Sequence, residues 1–503
     1  MRRRSAMMAA AAVLGTLLSS TVLPGTVLPG GASAGAAVTQ APAARAVVPD
    51  GTWGTAQPVR GIITLNAGRK AALNSVSCVA PGQCSAGGYY TDSAKHTQGY
   101  LVDQNRGNWG TAQQVPGLAA LNLGGRAAIT SMSCTPAGDC AAGGYYTDVS
   151  GLQQAFVVDK TGGVWGTAQQ VPGIGAINRG KPGATVLSLA CGAAGDCGAG
   201  GYYSDVSGHR QAFVVSESGG TWGTAQEVPG TASLNAGGFA AIASVSCPAT
   251  GSCGAGGYYA SSNVDGIPIQ QALVVSETGG TWGTARKVPG TARLNTGGYA
   301  AINSVSCASA GNCSAGGEYT NGTATQAMVV SQSGGTWGTA RQVPGITTLN
   351  QSHLAQVNAV SCASPGNCAA GGSYQDASFV NQVFVVDEAS GTWGTAKEVP
   401  GTAALNAISP GASLTSISCP AAGDCTAGGS YTGSAGDNQA YVVDETSGTW
   451  GNAQEVPGSA ALNAGGHAAL STVFCGLPGT CSAGGQYTRA GTGVESFVVS
   501  ETG

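Results

Sequence analysis

The sequence predicts an all-β fold, an eight-bladed β-propeller, and three observations support this prediction. Eight tryptophans recur at intervals of 55 to 60 residues, which is typical of propellers and other repeat architectures. Each repeat holds four short apolar runs bounded by Gly, Pro and Asn, the pattern of β-strands. Glycine accounts for 84 of the 503 residues and charged residues for only 9%, so a globular chain of this composition must contain many turns. The tryptophans are Trp53, Trp109, Trp165, Trp222, Trp282, Trp337, Trp393 and Trp450.

Each repeat is expected to form one blade of four strands, named A to D. S-V-S-C is strand A, C-x-A-G-G-x-Y is strand B, Q-A-F-V-V is strand C, and G-T-W-G-T-A-x-x-V is strand D. The repeats begin on a D strand at residues 51–59 and end on a C strand at residues 496–500. A linear array would leave two open sheet edges, which proteins avoid. We therefore expect the first D strand to join the last three strands and close the ring.

The first 50 residues are predicted to lie outside the propeller. Three arginines at residues 2–4 precede an apolar run, which predicts that residues 1–34 are a secretory signal peptide. Residues 35–50 are rich in Ala and Pro and are predicted to be a linker, and residues 51–503 form the propeller. The signal peptide predicts a secreted protein, and no later segment has the length and hydropathy of a membrane span. We also expect the mature protein to be a monomer.

The 16 cysteines form eight C-x5-C pairs. An even number of cysteines in an exported chain indicates disulfides, here one bridge between strands A and B of each blade. Zinc sites usually have C-x2-C or C-x4-C spacing with histidine partners, so no metal site is expected. The expected bridges are Cys78–Cys84, Cys134–Cys140, Cys191–Cys197, Cys247–Cys253, Cys307–Cys313, Cys362–Cys368, Cys419–Cys425 and Cys475–Cys481.

The candidate ligand-binding residues lie at three repeated positions. In a propeller the B–C and D–A connections share one face, opposite the A–B turns, so all three positions should gather there. The first is an asparagine thirteen residues after each tryptophan: Asn66, Asn122, Asn178, Asn235, Asn295, Asn350, Asn406 and Asn463. The second is a glutamine that opens strand C: Gln98, Gln154, Gln211, Gln271, Gln326, Gln382 and Gln439. The third is a tyrosine in strand B of the first four repeats: Tyr89, Tyr145, Tyr202 and Tyr258.

Each of these features also has a purely structural explanation. The asparagine can form a turn with its own backbone, and the tryptophans can pack between blades rather than present their rings to sugars. A second tyrosine follows Tyr89 and its equivalents in all eight repeats, and we expect it to be packed with its hydroxyl bonded to backbone. At the position of Tyr89 the last four repeats have Glu318, Ser373, Ser430 and Gln486. This change indicates a position that contacts solvent or a groove.

The repeat, or parts of it, resembles three known kinds of protein. Gly87-Gly88, Trp109 and Pro116 follow the order of motifs in kelch repeats, which build propellers such as the scaffold of galactose oxidase. Kelch repeats lack the C-x5-C hairpin, and the tyrosine that they carry before the tryptophan is absent here. The whole unit is also similar to secreted tandem propeller repeats of GC-rich soil bacteria, whose activity is unsettled. Residues 217–222 resemble the Asp-box turn of sialidases, which is structural. These resemblances imply a propeller and no particular activity.

These observations predict a secreted, non-enzymatic binding protein that recognises carbohydrate at repeated sites on one face. Neutral hydrogen-bonding groups beside aromatic rings suit sugar hydroxyls and ring faces, and several weak sites add through multivalency. A structural or protein-binding scaffold is the alternative. A glycoside hydrolase or sialidase-like enzyme has less support, because it needs two carboxylates at a defined separation. No cofactor is expected from four scattered histidines. The pI of 5.6 and the lack of a basic cluster exclude nucleic acid as a partner.

Overall fold

The structure, a computed structural model, describes residues 51–406, 408, 410–491 and 493–503. The predicted signal peptide and linker lie outside the described residues. The described chain forms eight antiparallel sheets, each with its strands in the order A-B-C-D. Strand D of blade 8 comes from the other end of the chain, because Thr52–Trp53 and Gln57–Pro58 pair with Gly493–Thr502. The predicted eight-bladed propeller, and its closure by the first D strand, are confirmed.

The four strands of each blade have closely similar bounds from blade to blade. The A strands are Ala72–Ala80, Ala128–Cys134, Thr185–Ala193, Ala241–Ala249, Ala300–Ser309, Ala355–Ser364, Ser413–Ala421 and Ala468–Leu477. The B strands are Gln83–Thr91, Cys140–Thr147, Asp196–Ser204, Ser252–Val264, Asn312–Thr320, Asn367–Gln375, Asp424–Thr432 and Thr480–Arg489. The C strands are Thr97–Asn105, Gln153–Thr161, Arg210–Ser218, Ile267–Thr278, Thr325–Ser333, Asn381–Ala389, Asn438–Thr446 and Gly493–Thr502.

Strand D differs from its prediction, because each D strand is two short pieces. The first pieces, in chain order, are Thr52–Trp53, Asn108–Trp109, Val164–Trp165, Thr221–Trp222, Thr281–Trp282, Thr336–Trp337, Thr392–Trp393 and Thr449–Trp450. The second pieces are Gln57–Pro58, Gln113–Gln114, Gln169–Gln170, Gln226–Glu227, Arg286–Lys287, Arg341–Gln342, Lys397–Glu398 and Gln454–Glu455. Between the two pieces the backbone bonds to both blades: the N–H of Gly54 donates to the carbonyl of Ser500 in its own blade at 2.9 Å, and the N–H of Ala56 donates to the carbonyl of Pro457 in the preceding blade at 2.7 Å.

A short helix follows each V-P-G segment, and the sequence pattern did not predict it. These helices are Ile62–Leu65, Leu118–Leu121, Ile174–Ile177, Thr231–Leu234, Thr291–Leu294, Ile346–Leu349, Thr402–Leu405 and Ser459–Leu462. Each starts after a glycine with a left-handed backbone, such as Gly61 with φ of 77°, which strongly favours glycine. A Cβ on Gly61 would also lie 2.5 Å from the methyl carbon of Thr111 in the next blade. At four residues apiece, the helices of the described chain cannot reach across a membrane.

The double glycine of strand B allows the blades to stack closely. A Cβ on Gly87 would lie 2.9 Å from the Cδ1 atom of Ile129 in the next blade. A Cβ on Gly88 would overlap the carbonyl of Ala72, at the irregular register between strands A and B of the same blade. The first glycine therefore makes room for the core of the next blade, and the second makes room for a bulge within its own blade.

The A strands lie side by side around the ring and hydrogen-bond through their serines. In blade 1, the Oγ atoms of Ser75 and Ser77 accept the backbone N–H groups of Met132 and Cys134 in blade 2, at 3.1 and 2.9 Å. Comparable serine bonds recur at most of the other junctions between blades. The S-V-S-C motif therefore positions each blade against the next one.

All eight predicted disulfides are formed within their own blades. Each bridges strands A and B at the A–B turn and packs against the preceding blade. In blade 4, the Sγ atoms of Cys247 and Cys253 would each lie 2.9 Å from a Cβ built on Gly198 of blade 3. The hydrophobic clusters likewise combine residues of two blades, as where Val498 of blade 8 packs with blade 1. The core is therefore divided among the junctions between blades.

The closure of the ring predicts that an N-terminal residue is as important as its equivalents in the middle of the chain. Trp53 is 5% exposed, and its Nε1–H donates to Asp444 of blade 7 at 3.0 Å. We expect Trp53→Ala to lower the free energy of unfolding by about 3–5 kcal/mol, the usual loss for a buried aromatic side chain. Guanidinium denaturation followed by circular dichroism measures this change.

The matched control is Trp282→Ala, because Trp282 occupies the same position within blade 4 and is equally buried. The two variants should lose comparable stability. A loss below about 1 kcal/mol for Trp53→Ala alone would mean that residues 51–59 are a dispensable addition to blade 8.

Candidate functional site

The two faces of the propeller differ in what they present. We call the face with the B–C and D–A connections the loop face, and the face with the A–B and C–D turns the disulfide face. The asparagines and glutamines predicted as ligand contacts lie together at the loop face, because each asparagine hydrogen-bonds the start of a C strand. The four tyrosines lie beside them, at the ends of strands B. The predicted grouping therefore exists.

The asparagines connect neighbouring blades through their backbones. The Nδ2 of Asn122 donates to the carbonyl of Thr97 in blade 1 at 2.9 Å. Its Oδ1 accepts the N–H groups of Arg126, at 2.8 Å, and of Thr147 in blade 2, at 3.3 Å. The eight asparagines are all between 2% and 9% exposed. Their amides therefore lie beneath the surface, and the Nδ2 of each donates to a backbone carbonyl of the neighbouring blade.

The glutamines extend this internal network. The Nδ2 of Asn122 donates a second hydrogen bond, to the Oε1 of Gln98 at 3.0 Å. The Nε2 of Gln98 in turn donates to Asp92 in the B–C loop at 3.3 Å. Gln154, Gln211 and Gln382 pair in the same way with Asp148, Asp205 and Asp376. These aspartates also accept loop N–H groups. The asparagines and glutamines thus stabilise the loop face, and their contact with a ligand stays a prediction.

The four tyrosines differ from these amides because they are only half-buried. They point toward the next blade, on the same side of strand B as the first glycine of the G-G pair. Burial, together with the neighbouring Tyr145, raises the pKa of the Tyr89 hydroxyl. Within the described chain, the hydroxyls of Tyr89, Tyr145 and Tyr202 have no hydrogen-bond partner, whereas that of Tyr258 accepts from Arg210 at 3.3 Å. We call the four residues the tyrosine row.

Basic side chains accompany the tyrosine row. Lys70 and Arg126 are exposed at the starts of blades 1 and 2. Arg126 lies near enough to Tyr145 to oppose the rise that burial causes in the pKa of that hydroxyl. Arg210 lies over the ring of Tyr202, with 4.1 Å between its Cζ and the ring centroid. In blade 5, Glu318 replaces the tyrosine, so the tyrosine row is confined to blades 1–4.

The tyrosines and tryptophans that recur in every repeat are largely packed. Tyr90 and its seven equivalents are 2–5% exposed. Three of them donate to a glutamate of strand D, as Tyr431 does to Glu455 at 2.8 Å, so the expected bond to backbone is wrong for these. Seven of the eight tryptophans are 4–8% exposed. Packing between blades therefore explains them better than contact with sugars.

A ring of polar pairs that the sequence did not predict lies near the disulfide face. Six tryptophans donate through Nε1 to an aspartate or serine on strand C of the preceding blade. On each C strand, the residue that follows this aspartate or serine lies opposite the equivalent aspartate or serine of the preceding blade. Each junction therefore holds one such pair. The eight pairs, in ring order, are Asp103 with Lys160, Asp159 with Glu217, Ser216 with Glu277, Ser276 with Gln332, Ser331 with Glu388, Asp387 with Glu445, Asp444 with Glu501, and Ser500 with Gln104.

Two of these pairs bring two carboxylates close enough to interact, and at a third junction Asp444 and Glu501 line one cleft. Burial, and then the charges of Asp159 and two further aspartates, raise the pKa of Glu217 to about 7. Burial and the charges of Asp387 and Asp424 raise the pKa of Glu445 to about 8. The other pairs are satisfied differently: Lys160 forms an ion pair with Asp103 at 2.9 Å, and Ser331 donates to Glu388 at 2.6 Å. The signal for this ring was the residue after the V-D or V-S pair of strand C.

Clefts open at the disulfide face beside several of these pairs. They lie between blades 1 and 2, 2 and 3, and 5 and 6, with volumes of about 450, 240 and 290 Å³. Glu217 and Asp159 line the second, and Glu388 lines the third. No group of three or more metal-ligating side chains occurs among the described residues.

No protein-family model matches the chain, and no curated protein sequence matches it. Solved structures match over most of its length at low similarity. A protein of unknown function from Dyadobacter fermentans has 10% identity and a TM-score of 0.38, covering 90% of this chain and 100% of that one. The β-propeller domain of the Trilobed protease from Pyrococcus furiosus has 8% identity and a TM-score of 0.42, covering 77% and 98%. Sqt1 from Chaetomium thermophilum has 12% identity and a TM-score of 0.45, covering 87% and 98%.

The internal bonding of the asparagines predicts that their loss affects folding. Asn122→Ala leaves the N–H groups of Arg126 and Thr147 and the carbonyl of Thr97 without this partner. We expect the free energy of unfolding to fall by about 1–3 kcal/mol, measured by guanidinium denaturation. The control Asn108→Ala removes an exposed amide bonded to the nearby carbonyl of Arg106, and should change stability by less than about 0.5 kcal/mol. Equal stability of the two variants would contradict the internal role of Asn122.

The carboxylate pairs predict that stability falls as pH rises. The folded protein holds protons on Glu217 and Glu445 up to pH 7 or 8, whereas the unfolded chain releases them near the ordinary value of 4.5. Folding therefore takes up protons between these limits, and the stabilisation present at low pH is lost as pH rises through the folded pKa. Thermal midpoints from about pH 5 to pH 9 at constant ionic strength measure this slope.

Two variants change the slope in opposite directions. Glu217→Gln should flatten it, because the amide removes one titrating partner. Ser331→Asp should steepen it, because it places a new carboxylate opposite Glu388 in blade 6. If both variants kept the slope of the unmodified protein, the pairs would not be the source of the pH dependence.

Proposed function

We propose that the protein is a secreted, non-enzymatic binding protein that recognises a polysaccharide along the tyrosine row of its loop face. The supporting observation is the row itself, with half-buried rings at the mouths of successive junctions. Partly exposed tyrosines offer an apolar ring and a hydroxyl without great loss of conformational entropy. Such surfaces suit sugars, whose rings have apolar faces and whose hydroxyls need hydrogen-bond partners.

The row suits an extended polymer better than a single sugar. Its four members lie on successive blades, so adjacent units of a chain can contact adjacent tyrosines. Weak contacts linked in one polymer gain avidity through high effective concentration, by about 10²–10⁴ where the geometry allows. The proposed site therefore covers blades 1–4, rather than all eight as the repeat alone suggested.

Secretion forms part of this proposal. Eight disulfides in a chain with no free cysteine among the described residues are consistent with an extracellular protein. The basic and apolar segment at residues 1–34 supports export by a signal peptide. A secreted binding protein meets polysaccharides at cell surfaces and in the surrounding medium, where the proposed ligand would be found.

A protein-binding scaffold is the second candidate, and a specific observation favours it. Twelve large hydrophobic side chains are exposed in the described chain, and ten of them lie on the loop face. Val149, Val206 and Phe379 at the tips of B–C loops are between 69% and 82% exposed. Exposed apolar side chains concentrated on one face are typical of protein interfaces. Both candidates therefore use the same face, and they differ in the partner.

Binding to an array of polysaccharides and oligosaccharides tests the proposal. We expect the exported protein to bind at least one polysaccharide class, and the double variant Tyr89→Ser, Tyr145→Ser to weaken that binding by about tenfold or more through the loss of two stacking contacts. Serine is the matched replacement, because Ser373 and Ser430 occupy this position in blades 6 and 7. Folding of the variant is checked by its thermal midpoint.

The control is the double variant Val149→Ser, Val206→Ser, which removes two exposed apolar side chains of the same face. It should keep polysaccharide binding. Absence of binding to every class, or equal binding by the tyrosine variant, contradicts the polysaccharide proposal. Hydrolysis of a polysaccharide that is lost in Glu217→Gln would instead indicate an enzyme that works at the disulfide face.

A further inference from the structure

Blades 3 and 4 meet at the loop face in a stack of four side chains. The guanidinium of Arg210 lies between the rings of Tyr202 and Phe239, with its Cζ 4.1 and 4.6 Å from the two centroids. Phe239 in turn stacks on Tyr258, with 5.4 Å between centroids and 25° between planes. The stack includes two members of the tyrosine row and connects blade 3 to blade 4. An arginine held between two rings has a fixed orientation.

The backbone of Arg210 is also held in place. Its N–H donates to the carbonyl of Gly238 at 2.9 Å, and its carbonyl accepts the N–H of Ala240 at 2.9 Å and the Nδ2 of Asn235 at 3.0 Å. The side chain therefore leaves a backbone that two neighbouring blades have already fixed. A charged group that is ordered before binding costs less conformational entropy when a ligand arrives.

The guanidinium retains unused hydrogen-bond donors. One nitrogen donates to the hydroxyl of Tyr258 at 3.3 Å. No carboxylate of the described residues forms an ion pair with Arg210. Both rings lie against the guanidinium, whose N–H donors lie in its plane and point outward at its edge. Arg210 is partly exposed, so the N–H groups at this edge can donate to a planar anion from solvent.

This stack is a departure from an otherwise repeated surface. At the position of Arg210 the other blades have Thr97, Gln153, Gln270, Thr325, Asn381, Asn438 and Val494. At the position of Phe239 the other junctions have Lys70, Arg126, Gly183, Tyr299, Leu354, Gly411 and His467. Only this junction among the described blades therefore has a cation at the first of these positions and an aromatic side chain at the second.

The longest B–C hairpin lies at the same junction. Strands B and C of blade 4 run over Ser252–Val264 and Ile267–Thr278, longer than in any other described blade. This extension explains the longest interval between tryptophans, 60 residues from Trp222 to Trp282. The hairpin bends toward the stack, because the Nδ2 of Asn263 donates to the carbonyl of Gly237, two residues before Phe239, at 3.0 Å. It therefore forms a raised side beside the stack.

We propose that Arg210 binds the carboxylate of an acidic sugar residue, a uronate, at the junction of blades 3 and 4. This inference rests on the proposed polysaccharide binding and names the class of polysaccharide. The planar guanidinium edge matches the two oxygens of a carboxylate in a bidentate pair. Tyr202, Phe239 and Tyr258 supply the apolar surface for the sugar ring, and Arg126 lies at the junction of blades 1 and 2, in the same half of the ring.

Isothermal titration calorimetry of the exported protein with two probes tests the inference. The probes are a hexamer of galacturonate and a neutral hexamer of glucose. We expect the uronate probe to bind more tightly, and Arg210→Gln to weaken its binding by about tenfold or more, as expected for a lost charge-assisted pair. The neutral probe should bind Arg210→Gln as it binds the unmodified protein. Arg210→Lys should recover only part of the affinity, because an ammonium cannot form the bidentate pair.

The control is Arg341→Gln, which makes the same change of charge on an exposed residue of the outer strand of blade 5. It should leave uronate binding unchanged. Equal weakening by both variants, or no weakening by Arg210→Gln, overturns the inference. A sulfated glucan that binds more tightly than the uronate, and does so through Arg210, also overturns the assignment to a carboxylate.

The result separates this inference from the function on which it rests. If the unmodified protein binds both hexamers equally and Arg210→Gln changes neither, polysaccharide binding stands and the uronate assignment is wrong. If the unmodified protein binds neither probe and no member of a polysaccharide array, both are wrong.

Discussion

The contact between neighbouring blades is the interaction on which the whole structure depends. Each blade is a small sheet that cannot bury its apolar side chains alone, so the core exists only where two blades meet. Three kinds of polar bond determine how they meet: the asparagines at the loop face, the serines of the A strands, and the tryptophan with its aspartate or serine near the disulfide face. Because each junction needs both partners, the first D strand has to complete the last blade.

Repetition makes the differences between blades informative. A position that only supports packing has the same residue eight times, as the buried asparagine does. Two of the positions that vary between blades are informative about chemistry. The pairs near the disulfide face vary between ionic, neutral and two-carboxylate combinations. The two side chains meet at the same place in each junction, but the combination determines whether the junction binds a proton. The tyrosine position varies between halves of the ring, which gives one half of the loop face aromatic rings. The proposed site is located by this second difference.

The sequence predicted what depends on spacing, and it failed where the outcome depends on contacts between repeats. The disulfides and the ring closure follow from the cysteine pairs and from the D strand that opens the repeats. The asparagines were candidates for ligand contact, because the sequence does not reveal that Asn122 bonds Thr97 and Gln98, 25 and 24 residues earlier. The pair of Asp159 and Glu217 was missed for the same reason, since its members belong to different repeats. The sequence did not mark Arg210 as a candidate, because its contacts with aromatic rings of blades 3 and 4 are visible only in the structure.

Hydrogen exchange of the exported protein, with and without a saturating acidic polysaccharide such as polygalacturonate, tests the central claim most directly. The claim is that ligand recognition belongs to one half of one face. We expect slower exchange in the ends of strands B and the starts of strands C of blades 1–4, and unchanged exchange at the disulfide turns and in blades 6–8. Protection at the disulfide face, or equal protection of all eight blades, would contradict it.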